Sequence, residues 1–330
     1  MTTTTSAATL EHTIGQTGRF VLRVRSGEVR VRAVDGDVVR VRDLDGRSLA
    51  DRFEIETREG FLSLRARDSG GLNFVIDLGF LNRGSHANLE IDVPRRATVE
   101  FETASADIEA DGLQGSTHVR TASGELMLTA AGGSIDIEAV SGDVHVSGDL
   151  PMSVGCRTVS GEVAVEAPKL NRFQVTTTSG DVRAVGALTG EGPFSVNTVS
   201  GDAEIVTSTG LRVEAKTVSG DISTPEQRRS DGGPGQRVFS IGNGQTPFSF
   251  RSISGDLTIW ADRASATQAP AAPVAPVAPV APVAPDAPVA PEAPAVADAR
   301  LEVLRALERG EISVEDATLK LAELDGEGER

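Results

Sequence analysis

The chain of 330 residues carries 48 Asp and Glu against 32 Lys and Arg, a formal net charge of −16, which opposes broad attraction to nucleic acid or anionic lipid. Its single cysteine, Cys156, excludes an internal disulfide framework and a cluster of metal thiolates. The charge is uneven: residues 1–100 hold 15 basic and 15 acidic side chains, residues 101–266 hold 12 and 21, and residues 267–330 hold 5 and 12.

The N-terminus is polar (Met1-Thr-Thr-Thr-Thr-Ser-Ala-Ala8) and has no basic segment followed by an apolar one, so it does not read as a signal peptide. Residues 1–14 read as a disordered N-terminus. From Gly18 the apolar alternation is strong. Phe20, Leu22 and Val24 share one face, Ser26-Gly-Glu marks a turn, and Val29 and Val31 follow; a second turn at Asp35-Gly-Asp leads to Val39 and Val41. This pattern predicts antiparallel N-terminal strands. Their other face holds Arg23, Arg25, Arg30, Arg32, Arg40 and Arg42, expected to be solvated and paired with Asp35, Asp37, Asp43 and Asp45. A nucleic-acid surface would need interleaved aromatics or a recognisable module, and neither is present. Residues 72–80 form an unusually apolar stretch that reads as a buried strand or as a cap over the first coil. The longest near-apolar run, 72–81, is too short to span a bilayer and contains Asp77. The expected location is cytoplasmic, with the cell surface reached only by a non-standard route.

From residue 99 onward one six-residue phrase organises the chain. It appears as Thr121-Ala-Ser-Gly-Glu-Leu126, Ala139-Val-Ser-Gly-Asp-Val144, Thr158-Val-Ser-Gly-Glu-Val163 and Thr177-Thr-Ser-Gly-Asp-Val182. It continues as Thr198-Val-Ser-Gly-Asp-Ala203, Thr217-Val-Ser-Gly-Asp-Ile222 and Ser252-Ile-Ser-Gly-Asp-Leu257, with a degenerate first copy, Thr103-Ala-Ser-Ala-Asp-Ile108. Successive starts are 18, 18, 19, 19, 21, 19 and 35 residues apart. A fixed short period is the mark of a stacked-repeat architecture. Between phrases the residues alternate, as in Ile135-Asp-Ile-Glu-Ala139, the signature of half-buried strands. About 19 residues per repeat at about 3.3 Å each suffice for two or three short strands per coil, and one coil buries its apolar side only by stacking on the next. The prediction is an all-β fold: a β-solenoid domain over 15–262, with repeats over 99–260. The last spacing of 35 is assigned to a Gly- and Pro-rich surface loop at 224–246.

Stacking places equivalent residues in columns. The structural turn glycines are Gly124, Gly142, Gly161, Gly180, Gly201, Gly220 and Gly255. Beside them runs an acidic column of Glu125, Asp143, Glu162, Asp181, Asp202, Asp221 and Asp256. A calcium ladder on Asp143, Asp181, Asp202, Asp221 and Asp256 is one reading. The calcium-binding solenoid repeat is a G-G-x-G-x-D nonapeptide, however, and that pattern is absent from these phrases. The preferred reading is structural: each carboxylate accepts turn N–H bonds and faces water, where neighbouring like charges repel by only about 0.9 kcal/mol. Cys156 lies within a repeat strand and reads as a small buried apolar residue.

Residues 263–297 are a Pro/Ala/Val linker of polyproline II composition, a stiff tether. Residues 298–325 read as a helical hairpin. Leu301, Leu304 and Leu307 line the first helix, Gly310 stops it, and Ser313-Val-Glu-Asp316 caps a second helix that presents Val314, Leu321 and Leu324. Two helices of about 12 residues make a poor core alone, so these six side chains are the expected interface to a second copy or another protein. Catalysis is not expected. His12, His86, His118 and His145 lack metal-ligand spacing, and phosphate loops and nucleophile elbows are absent. No cofactor is expected.

The recurring phrases, preceded by Ile91-Asp-Val-Pro94, resemble the bacterial "putative adhesin" β-solenoid family, a domain of unknown function, over about residues 15–260. The tail 301–317 resembles the short helical-hairpin (SHOCT-like) domain that accompanies that family. The resemblance implies a non-enzymatic solenoid, in some members tied to the cell surface or envelope stress, and brings no catalytic or ligand residues with it. Three functional readings follow. The first is a scaffold that presents a repeat face to a protein or glycan and uses its hairpin for oligomerisation or partner recruitment. The second is a self-assembling cytoplasmic solenoid similar to bactofilin filaments. The third, resting on the resemblance, is a cytoplasmic envelope-stress regulator.

Overall fold

The computed structural model describes residues 3–6, 8–67, 86–224, 230–231 and 236–261. Most of them lie in strands; the one helix among them, Leu49–Arg52, is a single turn. The linker 263–297, the hairpin 298–325 and the apolar stretch 72–80 fall outside the described residues.

The strands form two parallel ladders joined at the Ser-Gly phrase of each coil. The leading ladder brings each coil into its phrase. Its central members, in spatial order, are residues 19–24 of the strand Arg19–Val34, residues 98–103 of Thr98–Asp111, Ser116–Ser123, Gly133–Ala139, Met152–Arg157 and residues 170–176 of Val163–Thr176. The trailing ladder leaves the phrase and stacks Ile108, Leu126, Val144, Val163, Val182 and Ala203 in one column, all of them buried. Inward side chains alternate with outward ones along most of the strands whose side chains are described, and the inward sets from both ladders merge into one continuous apolar core. This is the stacked-coil solenoid that the period predicts.

The N-terminal strands are only partly antiparallel. Arg19–Val34 pairs in parallel with Phe61–Ala66, His86–Pro94 and Thr98–Asp111. The reason is that Val24-Arg-Ser-Gly-Glu-Val29 is itself a copy of the phrase: Ser26 aligns with Ser105 and Gly27 with Ala106. What reads as a hairpin turn is a solenoid corner. True antiparallel pairs cap this end. Phe53–Arg58 covers Phe61–Ala66, and Val38–Asp43 covers His86–Pro94. Thr9–Thr13 then covers Val38–Asp43, and Thr3–Ser6 covers Thr9–Thr13. Residues 9–14 are therefore not disordered. Leu10, His12 and Ile14 are buried, and the His12 ring Nε2 lies 3.0 Å from the carbonyl oxygen of Arg58; a polar residue in the middle of the inward set conceals the alternation.

At the other end the spatial order departs from the chain order. The coil built from Phe194–Asn197 and Ala203–Thr207 is followed in space by Thr246–Arg251 and Leu257–Ala261, not by the next coil in sequence. Leu211–Lys216 and Ile222–Ser223 stack on the far side of that later coil. The spacing of 35 therefore reflects an excursion that returns to insert a coil. The expected loop 224–246 contains the strand Gln236–Ser240, which runs antiparallel to Leu211–Lys216 and closes the leading ladder. Inserting the later coil places Phe248 and Phe250, both fully buried, in the interior of the stack.

Candidate functional site

The corner at the Ser-Gly phrase is the most regular surface of the molecule, and its chemistry follows from how closely the coils approach there. Gly201 has φ +142°, and a Cβ on it would sit 2.4 Å from the carbonyl oxygen of Gly180. The same holds along the column: Gly142 against Gly124 at 2.1 Å, Gly255 against Gly201 at 2.2 Å and Gly220 against Gly255 at 2.2 Å. A Cβ at any of the seven predicted turn glycines would sit against backbone of the adjacent coil, whereas the degenerate first copy carries Ala106 at this position.

The acidic column runs beside the glycines, and its aspartates bind the next coil. Asp143 Oδ1 accepts the Glu162 N–H at 2.9 Å, and Asp181 Oδ1 accepts the Asp202 N–H at 2.9 Å. Asp202 Oδ1 accepts the Asp256 N–H at 2.8 Å, and Asp256 Oδ1 accepts the Asp221 N–H at 2.7 Å. Asp107 does the same for Glu125 at 2.9 Å. Each bond satisfies a corner donor that no strand ladder reaches. The acids of the column are exposed. They follow the ridge as a line rather than converging, and among the described residues no three His, Cys, Asp or Glu side chains form a group able to hold a metal ion.

Inside the corner a hydroxyl column complements the acids. Thr103 Oγ1 donates to Thr121 Oγ1 at 2.9 Å, and the Thr121 and Thr158 hydroxyls donate to the carbonyl oxygens of Ser123 and Ser160 at 2.7 and 2.9 Å. On the outside, the second position of each phrase forms an apolar column that is left uncovered. Val140 is 39% exposed, Val159 49%, Val199 45%, Ile253 55% and Val218 83%. Thr178 lies between Val159 and Val199 in the stack and is exposed as well. Sequence reasoning missed this column, because a β-branched residue beside a strand reads as core; the signal was its odd position relative to the inward Thr and Val of the same phrase.

The outward face of the leading ladder is ionic. Arg23 pairs with Glu102 at 2.8 Å, and Arg120 bridges Glu102 at 3.8 Å and Glu138 at 3.0 Å. Arg157 continues the line to Glu138 at 3.7 Å. A parallel line joins Arg19 to Glu100 and, beyond Gly155, Arg172 to Asp136. Burial pushes the Glu100 carboxyl upward, but the hydrogen bond and charge of Arg19 outweigh it, and the net shift is downward. Gly155 leaves a shallow notch on this face over Cys156, whose thiol is pushed up to about 12 by burial and is therefore a poor nucleophile. The N-terminal arginines find other partners than the expected aspartates. Arg40 pairs with Glu11 and Asp92, while Arg42 and Arg32 share Glu90. Of the aspartates, Asp43 holds Arg52 and Asp35 holds Arg95. The cross-coil register, rather than proximity in sequence, selects these pairs. The four histidines take no common site.

Among the described residues no helix is long and apolar enough to cross a membrane. No curated protein matches the chain. Among solved structures it is similar to a "putative cell adhesion protein" from Clostridium sporogenes, with 10% identity, 76% of this chain and 98% of the other covered, and a TM-score of 0.25. It is similar also to a "putative adhesin" from Bacteroides fragilis (13% identity, 76% and 95% covered, TM-score 0.36). A third likeness is to a "putative lipid binding protein" from Parabacteroides distasonis (12% identity, 76% and 95% covered, TM-score 0.23). Likenesses at this level carry no functional argument. Residues 19–260 match the family described as Toastrack DUF4097, the same span that holds the phrase-bearing ladders, and the chain belongs to that family.

Proposed function

We propose that this protein is a non-enzymatic β-solenoid scaffold that presents a repeat face to a protein or glycan, with residues 298–325 acting as a tethered module for oligomerisation or partner recruitment. The observation that supports the reading best is the exposed apolar column from Val140 to Val218, since folded monomers rarely leave contiguous apolar surface uncovered without a partner for it. A filament of head-to-tail solenoids is less well supported. Antiparallel strands break the parallel register at the N-terminal end of both ladders and at the C-terminal end of the leading ladder.

Light scattering after size exclusion tests the reading, using the full chain and a version ending at Ala266. The expected result is a defined oligomer for the full chain and a monomer for the shorter one. Two monomers would remove self-association and leave recruitment of another protein as the role of 298–325. Large, salt-dependent species from both chains would overturn the scaffold in favour of a filament.

A further inference from the structure

The ridge specifies more than a generic binding face, and the following deepens the scaffold reading and rests on it. Two columns run side by side along the corner, one mostly apolar and exposed and one of exposed carboxylates three residues later in each phrase. Seven coils carry the carboxylate and six of them the apolar partner, from Ala122 to Val218 with Thr178 interrupting the line, and the Ser bridges fix their order as 160, 179, 200, 254 and 219. Six steps of about 4.8 Å make a stripe of about 29 Å.

We infer that this ridge docks a basic amphipathic α-helix of a partner protein, laid along the solenoid axis. Pitch selects a helix. One turn advances about 5.4 Å against about 4.8 Å per coil, so an apolar helical stripe of about 20 residues keeps pace with the coils, drifting by less than one coil over its length. An extended strand repeats its side chains every 6.6–6.8 Å or so and falls out of step within three coils. Charge selects the sign: a helix whose apolar stripe is flanked by Lys or Arg meets the carboxylates at low desolvation cost, since these stay at the rim of the contact. The chain's own tail and a second copy fit less well. Residues 298–325 carry eight Asp or Glu against four Lys or Arg, and the whole chain carries −16.

The probe is a labelled 20-residue Leu/Lys peptide with leucines at helical i, i+3, i+4 spacing, titrated with the full chain and read by fluorescence anisotropy at low and high salt. Two controls are a scrambled peptide of the same composition and a Leu/Glu peptide with the same stripe. The expected result is saturable binding of one peptide per chain, at least tenfold tighter than either control and weakening with salt. Val159→Ser combined with Val199→Ser is expected to weaken binding at least tenfold while leaving the thermal midpoint in place, because both side chains are about half exposed. Asp143→Asn with Asp181→Asn keeps an oxygen to accept the corner N–H and is expected to flatten the salt dependence. Equal binding of the scrambled peptide would reduce the effect to net charge and overturn the proposal. So would binding that survives the valine substitutions. Tenfold tighter binding to the version ending at Ala266 would assign the ridge to the chain's own tail. Binding that ignores the ridge variants but is lost on charge reversal at Glu102 and Glu138, the acids of the ionic face, would move the contact to that face, which sinks the ridge and leaves the scaffold standing.

Discussion

The Asp256 backbone N–H donates to Asp202 Oδ1 at 2.8 Å across 54 residues of sequence, and the Asp221 N–H donates in turn to Asp256 Oδ1 at 2.7 Å. The acidic column is thus a relay in which each aspartate satisfies the corner donor of the coil stacked on it. Asp202→Ala is expected to lower stability by about 0.5–1.5 kcal/mol, the usual net worth of such a bond, whereas Asp202→Asn stays close to the parent. Thermal melts of the two variants decide; equal melting points would mean that the column contributes nothing.

Gly201 and Gly36 share φ +142° but differ in their surroundings. A Cβ on Gly201 meets the Gly180 carbonyl oxygen at 2.4 Å, and one on Gly36 meets nothing within 4 Å. Gly36→Ala is expected to cost only backbone strain, about 1–3 kcal/mol. Gly201→Ala should cost clearly more, because the clash is with backbone of a packed coil. Urea unfolding of both, compared at unchanged m-value, isolates the contribution of inter-coil contact.

Burial holds the Cys156 thiol at about 12, against 9.0 for the free group. The folded state keeps this proton where the unfolded chain loses it, so stability falls as pH rises from about 9 toward 12, at up to about 1.4 kcal/mol per pH unit. Cys156→Ala is expected to remove that slope in alkaline denaturation curves. In the native protein at pH 8 the thiol should resist a thiol-reactive dye and react fully in denaturant. Rapid native labelling would show that the strand Met152–Arg157 opens readily.

Glu100 titrates in the opposite sense. Its pKa is lowered because Arg19 outweighs burial, so its contribution to stability is present above the unfolded value of 4.5 and is lost as pH falls through the folded one. Arg19→Ala removes the largest opposition to burial, and the Glu100 carboxyl is expected to titrate higher than in the parent. An NMR titration of the side chain reads the sign directly.

Much of the architecture could be read from the phrases, because the feature that forces them is a glycine where backbones of successive coils nearly touch, kept in every copy from Gly124 onward. The phrase around Ser26-Gly27-Glu28 escaped because two turn signals flanked by alternating apolar residues look the same for a hairpin and for a solenoid corner; only the partner strand distinguishes them. The order of the last coils was not legible either. Residues 217–222 and 252–257 carry interchangeable phrases, and both fit against Ala203, so local pattern cannot choose. What chooses is bulk: Phe248 and Phe250 need a coil on each side. The exposed valines escaped for a third reason, since hydrophobicity reports where a side chain would prefer to be and not whether anything covers it. The carboxylate column was legible in its structural role, but its partners required the stacking order.

The inserted coil also sets a timetable for the ribosome. Ala203–Thr207 pairs in the finished protein with Leu257–Ala261, which emerges 38 residues after Ser223. At about 5–20 residues per second, the nascent chain waits roughly 2–7 seconds with Leu211–Lys216 already made and its permanent neighbour, Thr246–Arg251, not yet complete. A solenoid is usually pictured as growing one coil at a time in the order of translation. Here the far end must be made before the place it rests on, so the final segment of the β-domain arrives as a keystone rather than as another course.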